Sequence, residues 1–131
     1  MKKTGVLNHR LSAVIATMGH TDSLVVADAG LPVPPNVERI DLAVTPGLPP
    51  MLDIARAIAT ELQVERLIVA TELRDRNPDL VAAISSVFPN IPVDHLPHDD
   101  FKTRTQTAKA VVRTGECTPY ANVILISGVT F

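Results

Sequence analysis

The residues of this chain best suited to chemistry begin with a histidine and an aspartate on either side of a short apolar run. Gly19-His20-Thr21-Asp22 leads into Ser23-Leu24-Val25-Val26-Ala27, and Asp28-Ala29-Gly30-Leu31-Pro32 follows it. The run reads as a buried strand, so both polar residues sit at the ends of a rigid element rather than inside a core. His20 is a candidate acid–base catalyst, because imidazole is the side chain suited to exchanging protons near neutrality. It also lies just past a helix, whose carboxyl-terminal partial charge favours the imidazolium form. The plainer reading is that His20 only covers the last carbonyls of that helix. Asp28 ends its strand where open α/β sheets bind ligands, and its carboxylate can accept from ligand hydroxyls or orient His20. The plainer reading there is a turn aspartate bonded to the backbone of the Gly30 loop.

A second group of candidates lies in the last third. Tyr120-Ala121-Asn122 opens the final apolar run and sets the only tyrosine of the chain near an amide, two groups that both donate and accept. Alternatively the tyrosine packs at a strand edge and the asparagine ends a turn. His95 and His98 form an H-x-x-H pair flanked by Asp94, Asp99 and Asp100. Pro97 intervenes and the helical i, i+4 spacing of a metal-binding pair is missing, so no metal site is expected. His98 instead reads as the start of a helix, a donor to a polar ligand, with Lys102 one turn later on the same face. His95 belongs to the preceding strand. Asp75-Arg76-Asn77 reads as a solvated helix start and Cys117 as inert. Neither a glycine-rich phosphate loop nor a nucleophile elbow is present, so no cofactor is expected.

The elements that must position these groups alternate along the chain. Asn8 followed by Leu11, Val14, Ile15 and Met18 predicts a capped helix closed at Gly19. After the strand at Ser23–Asp28, a proline-rich loop leads to a strand over Arg39–Val44. Pro49 and Pro50 then open a helix carrying Leu52, Ile54, Ala55, Ile58, Ala59 and Leu62. Arg66–Thr71 reads as a central strand, apolar on both faces. Asn77-Pro78 starts a helix through Phe88. A strand at Ile91–Leu96, a helix at Asp99–Lys109, and strands at Ala110–Arg113 and Asn122–Ile126 complete the pattern. The fold class is therefore α/β, a three-layer α/β/α domain over residues 1–131 with a mostly parallel sheet. Thr114–Ala121 is too short for a crossover helix, so the last two strands are expected to pair antiparallel, which makes the sheet mixed.

Composition narrows the partners. The chain has 131 residues, a formal net charge of −2, 3% aromatic residues and no tryptophan. There is no basic stripe for nucleic acid, no stacking platform for bases and no apolar stretch long enough for a bilayer. One cysteine excludes an intrachain disulfide, and no signal peptide is read, so the expected location is the cytoplasm. The loops Gly30–Pro35 and Pro46–Pro50 present Leu31, Val33, Leu48 and Met51 with no helix or strand to bury them, which points to a partner subunit.

Together, Gly19-His20-Thr21-Asp22, Asp28-Ala29-Gly30-Leu31-Pro32, Arg39-Ile40-Asp41-Leu42-Ala43-Val44, Arg113-Thr114-Gly115-Glu116 and Pro119-Tyr120-Ala121-Asn122-Val123-Ile124-Leu125 resemble the ribose pyranase and fucose mutarotase family. The likeness runs over essentially the whole chain, and is weakest from about Glu72 to Val93. The fucose branch reads Asp-Ala-His after its first strand and Lys-Tyr-Gly-Asn near its end, so Ala29-Gly30-Leu31-Pro32 and Pro119-Tyr120-Ala121-Asn122 fall on the ribose side. The resemblance implies an isomerase that interconverts the pyranose and furanose forms of D-ribose in the cytoplasm, without metal or cofactor. It gives His20 the proton-donor role and makes Asp28, His98, Tyr120, Ala121 and Asn122 sugar-binding positions. It also implies a homo-oligomer, a decamer of stacked pentamers, with sites near subunit boundaries. The alternatives are a mutarotase for another sugar such as L-fucose, and a non-enzymatic sugar-binding module linked to ribose transport.

Overall fold

The computed structural model describes residues 1–131. Asn8 accepts from the Leu11 N–H at 2.9 Å and caps helix α1 (His9–Thr17), which turns Leu11, Val14 and Ile15 into the core. The expected glycine stop is not used. The helix ends at Met18 in an extended conformation, and the chain reverses through Thr21, whose φ of 67° lies in the left-handed region. Strands β1 (Ser23–Ala27) and β2 (Glu38–Asp41) follow, then α2 (Met51–Ala59) and β3 (Val64–Ala70). Next come α3 (Thr71–Arg76), α4 (Pro78–Val87), β4 (Val93–Leu96) and α5 (His98–Arg104), the last continued by a 3₁₀ turn at Thr105–Thr107. Strands β5 (Ala110–Arg113) and β6 (Val123–Ser127) end the chain. Asn77 and Pro78 cap and open α4 as their spacing predicts, with Asn77 Oδ1 accepting from the Leu80 N–H at 3.1 Å. No helix is long and apolar enough to cross a membrane.

The six strands form one sheet in the order β2-β5-β1-β6-β3-β4. β1 and β2 each pair parallel with β5, and β3 pairs parallel with β4. β6 runs antiparallel between β1 and β3. The expected β5–β6 pairing is therefore corrected. The short Thr114–Asn122 connection does reverse direction, but it passes over the end of β1 before entering the sheet. β6 fills the central gap between two parallel groups and is buried along its whole length, as an all-apolar strand requires. Side chains alternate across the sheet: Leu24 and Val26 join the core beneath α1, α2, α3 and α4, whereas Val25 and Ala27 join Phe101 of α5 on the other face. The result is the expected three-layer domain, with most of its helices on one side.

This topology has one functional consequence. All five parallel strands end at the same edge of the sheet, and β6 begins there. Asp28, Thr71, Pro97, Thr114 and Asn122 consequently share one edge, while His20, Val64 and Gly128 share the other.

The loops at the carboxyl edge are tied by Glu116. Its carboxylate accepts from the Thr118 hydroxyl at 2.8 Å and from the N–H groups of Thr118 at 3.1 Å and of Met51 and Cys117 at 3.2 Å, while its carbonyl accepts from the Ala29 N–H at 2.8 Å. Burial alone pushes this carboxyl up, but these hydrogen bonds outweigh it and hold it below its ordinary value. A native pKa below the unfolded one contributes stability that is full above the ordinary carboxylate range and is lost as pH falls through the lowered value. Glu116→Gln is expected to cost roughly 1.5–3 kcal/mol in urea unfolding at neutral pH, the range for hydrogen bonds to a charged group. The gap between the two proteins is expected to narrow as pH falls through the lowered carboxyl value, below which both side chains are neutral. A gap independent of pH would show that the carboxylate charge does not tie these loops.

The same loops correct the expected apolar display. Leu31 and Met51 are buried within the chain, Leu31 against Val37 and Phe101 and Met51 at the start of α2, and Val33 is partly buried. Leu48 remains exposed at 52%, with Val44 beside it at 75%.

Candidate functional site

Asp28 follows β1 directly, and its Oδ1 accepts from the N–H groups of Gly30 at 2.9 Å and Leu31 at 2.8 Å. The turn reading of this aspartate is thus correct. Its other oxygen, Oδ2, accepts from Asn122 Nδ2 at 2.9 Å, and Asn122 Oδ1 accepts in return from the Asp28 N–H at 2.8 Å. Asn122 is fully buried, and its amide is spent on Asp28. The asparagine therefore positions the carboxylate. Ala121 is buried, and its N–H donates to the Thr118 carbonyl at 3.2 Å. Tyr120 takes a φ of 61°. A side chain held in this region costs about 1–3 kcal/mol and persists where the surroundings over-determine it, a pattern concentrated at functional sites.

Asp28, Tyr120 and His98 line an open cavity of about 320 Å³ together with Gly30, Leu31, Pro32, Pro119 and Arg76. His98 is the first residue of α5, as its position in the sequence predicts. Its ring meets Tyr120 edge-on, with centroids 5.0 Å apart and planes at 84°, and its Nδ1 is buried with no hydrogen-bond partner. A buried, unpaired polar atom is costly in a finished core and acceptable where a ligand completes it. Lys102, expected beside His98, instead pairs with Asp99 at 2.7 Å and holds that carboxyl below its ordinary range. His95 lies in β4 opposite Val69, not in the cavity. A larger depression of about 550 Å³ between α2 and α4 is lined by Arg56, Ala59, Ala83, Ser86 and Val87 and offers no acid–base group beyond an arginine.

His20 stands at the other edge. It occupies the turn from Gly19 to Asp22, where Asp22 Oδ2 accepts from the Gly19 N–H at 2.8 Å and the Thr21 N–H donates to the Ser127 carbonyl at 2.9 Å. The half-exposed ring pairs through Nε2 with Glu65 Oε2 at 2.9 Å. The ring's hydrogen bond goes to Glu65 and none goes to α1, whose Ile15 carbonyl takes the Met18 N–H, so His20 does not cap this helix. Asp28 does not orient it either: five residues of β1 separate them, roughly 16 Å of extended chain. Within one chain the structure brings Asp28, His98, Tyr120 and Asn122 together and leaves His20 apart. Two groups escaped the sequence reading. Glu65 has no motif around it and is recognisable only once β3 is placed beside β6. Arg76 belongs to α3, a single helical turn and a half too short to show a period, in a segment expected to be only a solvated helix start.

Comparison with known proteins places this geometry. The model of the RbsD / FucU transport protein family matches residues 1–130. A D-ribose pyranase of Geobacillus kaustophilus is 50% identical over 131 residues, all of this chain and 96% of the relative. One of Laribacter hongkongensis is 53% identical over the full length of both. Among solved structures, Bacillus subtilis RbsD complexed with D-ribose is 48% identical, with a TM-score of 0.96 over the whole of both chains. A fucose mutarotase from Streptococcus pneumoniae, in complex with L-fucose, is 24% identical with a TM-score of 0.78, covering 95% of each chain, and shares the fold.

Proposed function

Since the chain belongs to the RbsD / FucU transport protein family, we propose that it is an isomerase interconverting the pyranose and furanose forms of D-ribose. The observation that carries this reading is the cavity where the Asp28 carboxylate, held by Asn122, stands with Tyr120 and the unpartnered His98 Nδ1. A carboxylate, a phenol and an imidazole suit a small neutral polyol, whose hydroxyls each donate and accept. Identity of about one half to two D-ribose pyranases, and the near-superposition on a relative that holds D-ribose, support the same sugar. The L-fucose alternative has only the fold behind it, and Ala29-Gly30 departs from the fucose pattern.

The chemistry is proton transfer. Opening the pyranose delivers one proton to the ring oxygen and removes one from the anomeric hydroxyl; closure through a different hydroxyl reverses both transfers. His20 is the proton donor in this reading, and the hydrogen bond between its Nε2 and Glu65 Oε2 orients the ring. Because the cavity and His20 occupy opposite edges of one chain, a second copy supplies the histidine. The protein thus works as a homo-oligomer, for which the family resemblance suggests a decamer of stacked pentamers in the cytoplasm. Exposed Val44 and Leu48 are consistent with contacts between copies.

Saturation-transfer NMR on D-ribose tests the reading directly. Added protein is expected to speed exchange between pyranose and furanose signals, with L-fucose unaffected. Asp28→Asn is expected to weaken ribose binding by roughly 1.5–3 kcal/mol in calorimetry, since it replaces a charged acceptor. Ribose binding without faster exchange would favour the sugar-binding module, and unchanged affinity in Asp28→Asn would confine Asp28 to its turn.

A further inference from the structure

Helix α3 stands beside the cavity and touches both of its ring-bearing residues. At its start, Glu72 Oε2 accepts from the His98 N–H at 2.9 Å and so fixes the main chain where α5 begins. Four residues on, one turn away on the same face, the guanidinium carbon of Arg76 lies 5.1 Å from the centroid of the Tyr120 ring. The ring is thus bounded by Arg76 and by the edge of His98. Arg74, two residues earlier, pairs with Asp75 at 2.9 Å, whereas Arg76 has no carboxylate partner and contributes to the cavity wall. Tyr120 needs such a contact. It sits in a loop at positive φ, so no strand pleat dictates where its ring points.

We infer that Arg76 is a substrate-positioning residue: its guanidinium holds the Tyr120 ring against His98 and so sets the geometry in which phenol and imidazole meet the sugar. This rests on the reading of the cavity as the ribose site. A planar guanidinium stacks on an aromatic face in a way an ammonium does not, so the role is specific to arginine. Loosening the ring disturbs binding more than proton transfer, because Arg76 and Tyr120 hold the cavity wall whereas the proton donor His20 comes from a second copy.

The chain holds one tyrosine and no tryptophan, so its intrinsic emission reports Tyr120 alone. In Arg76→Gln, tyrosine emission in the absence of sugar is expected to change and its quenching by acrylamide to rise. The KM for ribose exchange is expected to rise by about fivefold, as for loss of one exposed cation–π contact, with kcat little altered. Arg76→Lys is expected to recover only part of either effect. In a Tyr120→Ala background, Arg76→Gln is expected to have no further effect on ribose affinity. Unchanged emission and quenching in Arg76→Gln would overturn the inference, as would an affinity loss of the same size in the Tyr120→Ala background. Emission and quenching are read without sugar. A wild-type protein that fails to exchange ribose would therefore sink the function while leaving the Arg76–Tyr120 contact separately testable.

Discussion

Replacing His20 by alanine is expected to slow pyranose–furanose exchange by about 10² to 10⁴, the usual worth of a positioned acid–base group. Ribose affinity should fall far less. The site around Asp28 and Tyr120 is built without His20, and in the proposed mechanism the imidazole transfers a proton rather than gripping the sugar. Stability should hardly move. The His20–Glu65 pair is half-exposed, and pairs of that kind contribute about 0–1 kcal/mol. The turn itself is fixed by main-chain bonds and by Asp22, none of which the substitution touches. Glu65→Ala removes the partner that orients the ring through Nε2, so it should show a smaller loss in the same direction. The NMR exchange assay, with calorimetry for affinity and urea unfolding for stability, separates these outcomes. A His20→Ala protein that exchanges ribose at close to the wild-type rate would remove the histidine from the mechanism.

Much of this site was legible before the fold was known, and the part that was not has a physical reason. Local signals survived intact: the Asn8 and Asn77 caps, the proline that opens α4, the continuous burial of β1, and His98 at the first turn of α5. Each depends on neighbours within a few residues. The reciprocal bonds between Asp28 and Asn122 join positions 94 residues apart, and they exist only because β6 enters the sheet beside β1. No local pattern encodes that choice of neighbour. A connection as short as Thr114–Asn122 correctly implied a reversal of direction, yet it fits a hairpin as well as a step over one intervening strand. The same long-range pairing set Glu65 next to His20. The loop side chains misled for a related reason. Leu31 and Met51 lie at the ends of irregular segments that fold back over the sheet, so lacking a helix or strand of their own did not leave them exposed.

Chains carrying His20→Ala, slow in proton transfer, and chains carrying Asp28→Asn, weak in binding, are expected to regain activity at low ribose concentration when co-expressed and assembled together. The argument begins with distance. A proton donor must come within hydrogen-bond reach of the atom it serves. His20 and the cavity lie at opposite edges of the sheet, with the whole of β1 between them, so one chain cannot furnish both. A head-to-tail contact, which lays the His20 edge of one copy near the cavity edge of the next, is the kind of interface that closes into a ring. A working site in the mixture then needs an intact histidine from one copy and an intact Asp28 from its neighbour. With equal amounts and random assembly, about one quarter of the sites meet both conditions, a direct consequence of a repeated heterologous interface. Exchange activity in the mixed assembly should therefore approach that fraction of wild type. If each site used its own chain's His20, every site would carry one lesion or the other, and mixing would restore nothing. Light scattering on the same sample reads the assembly itself, and a monomer that retains full activity would rule out a shared site.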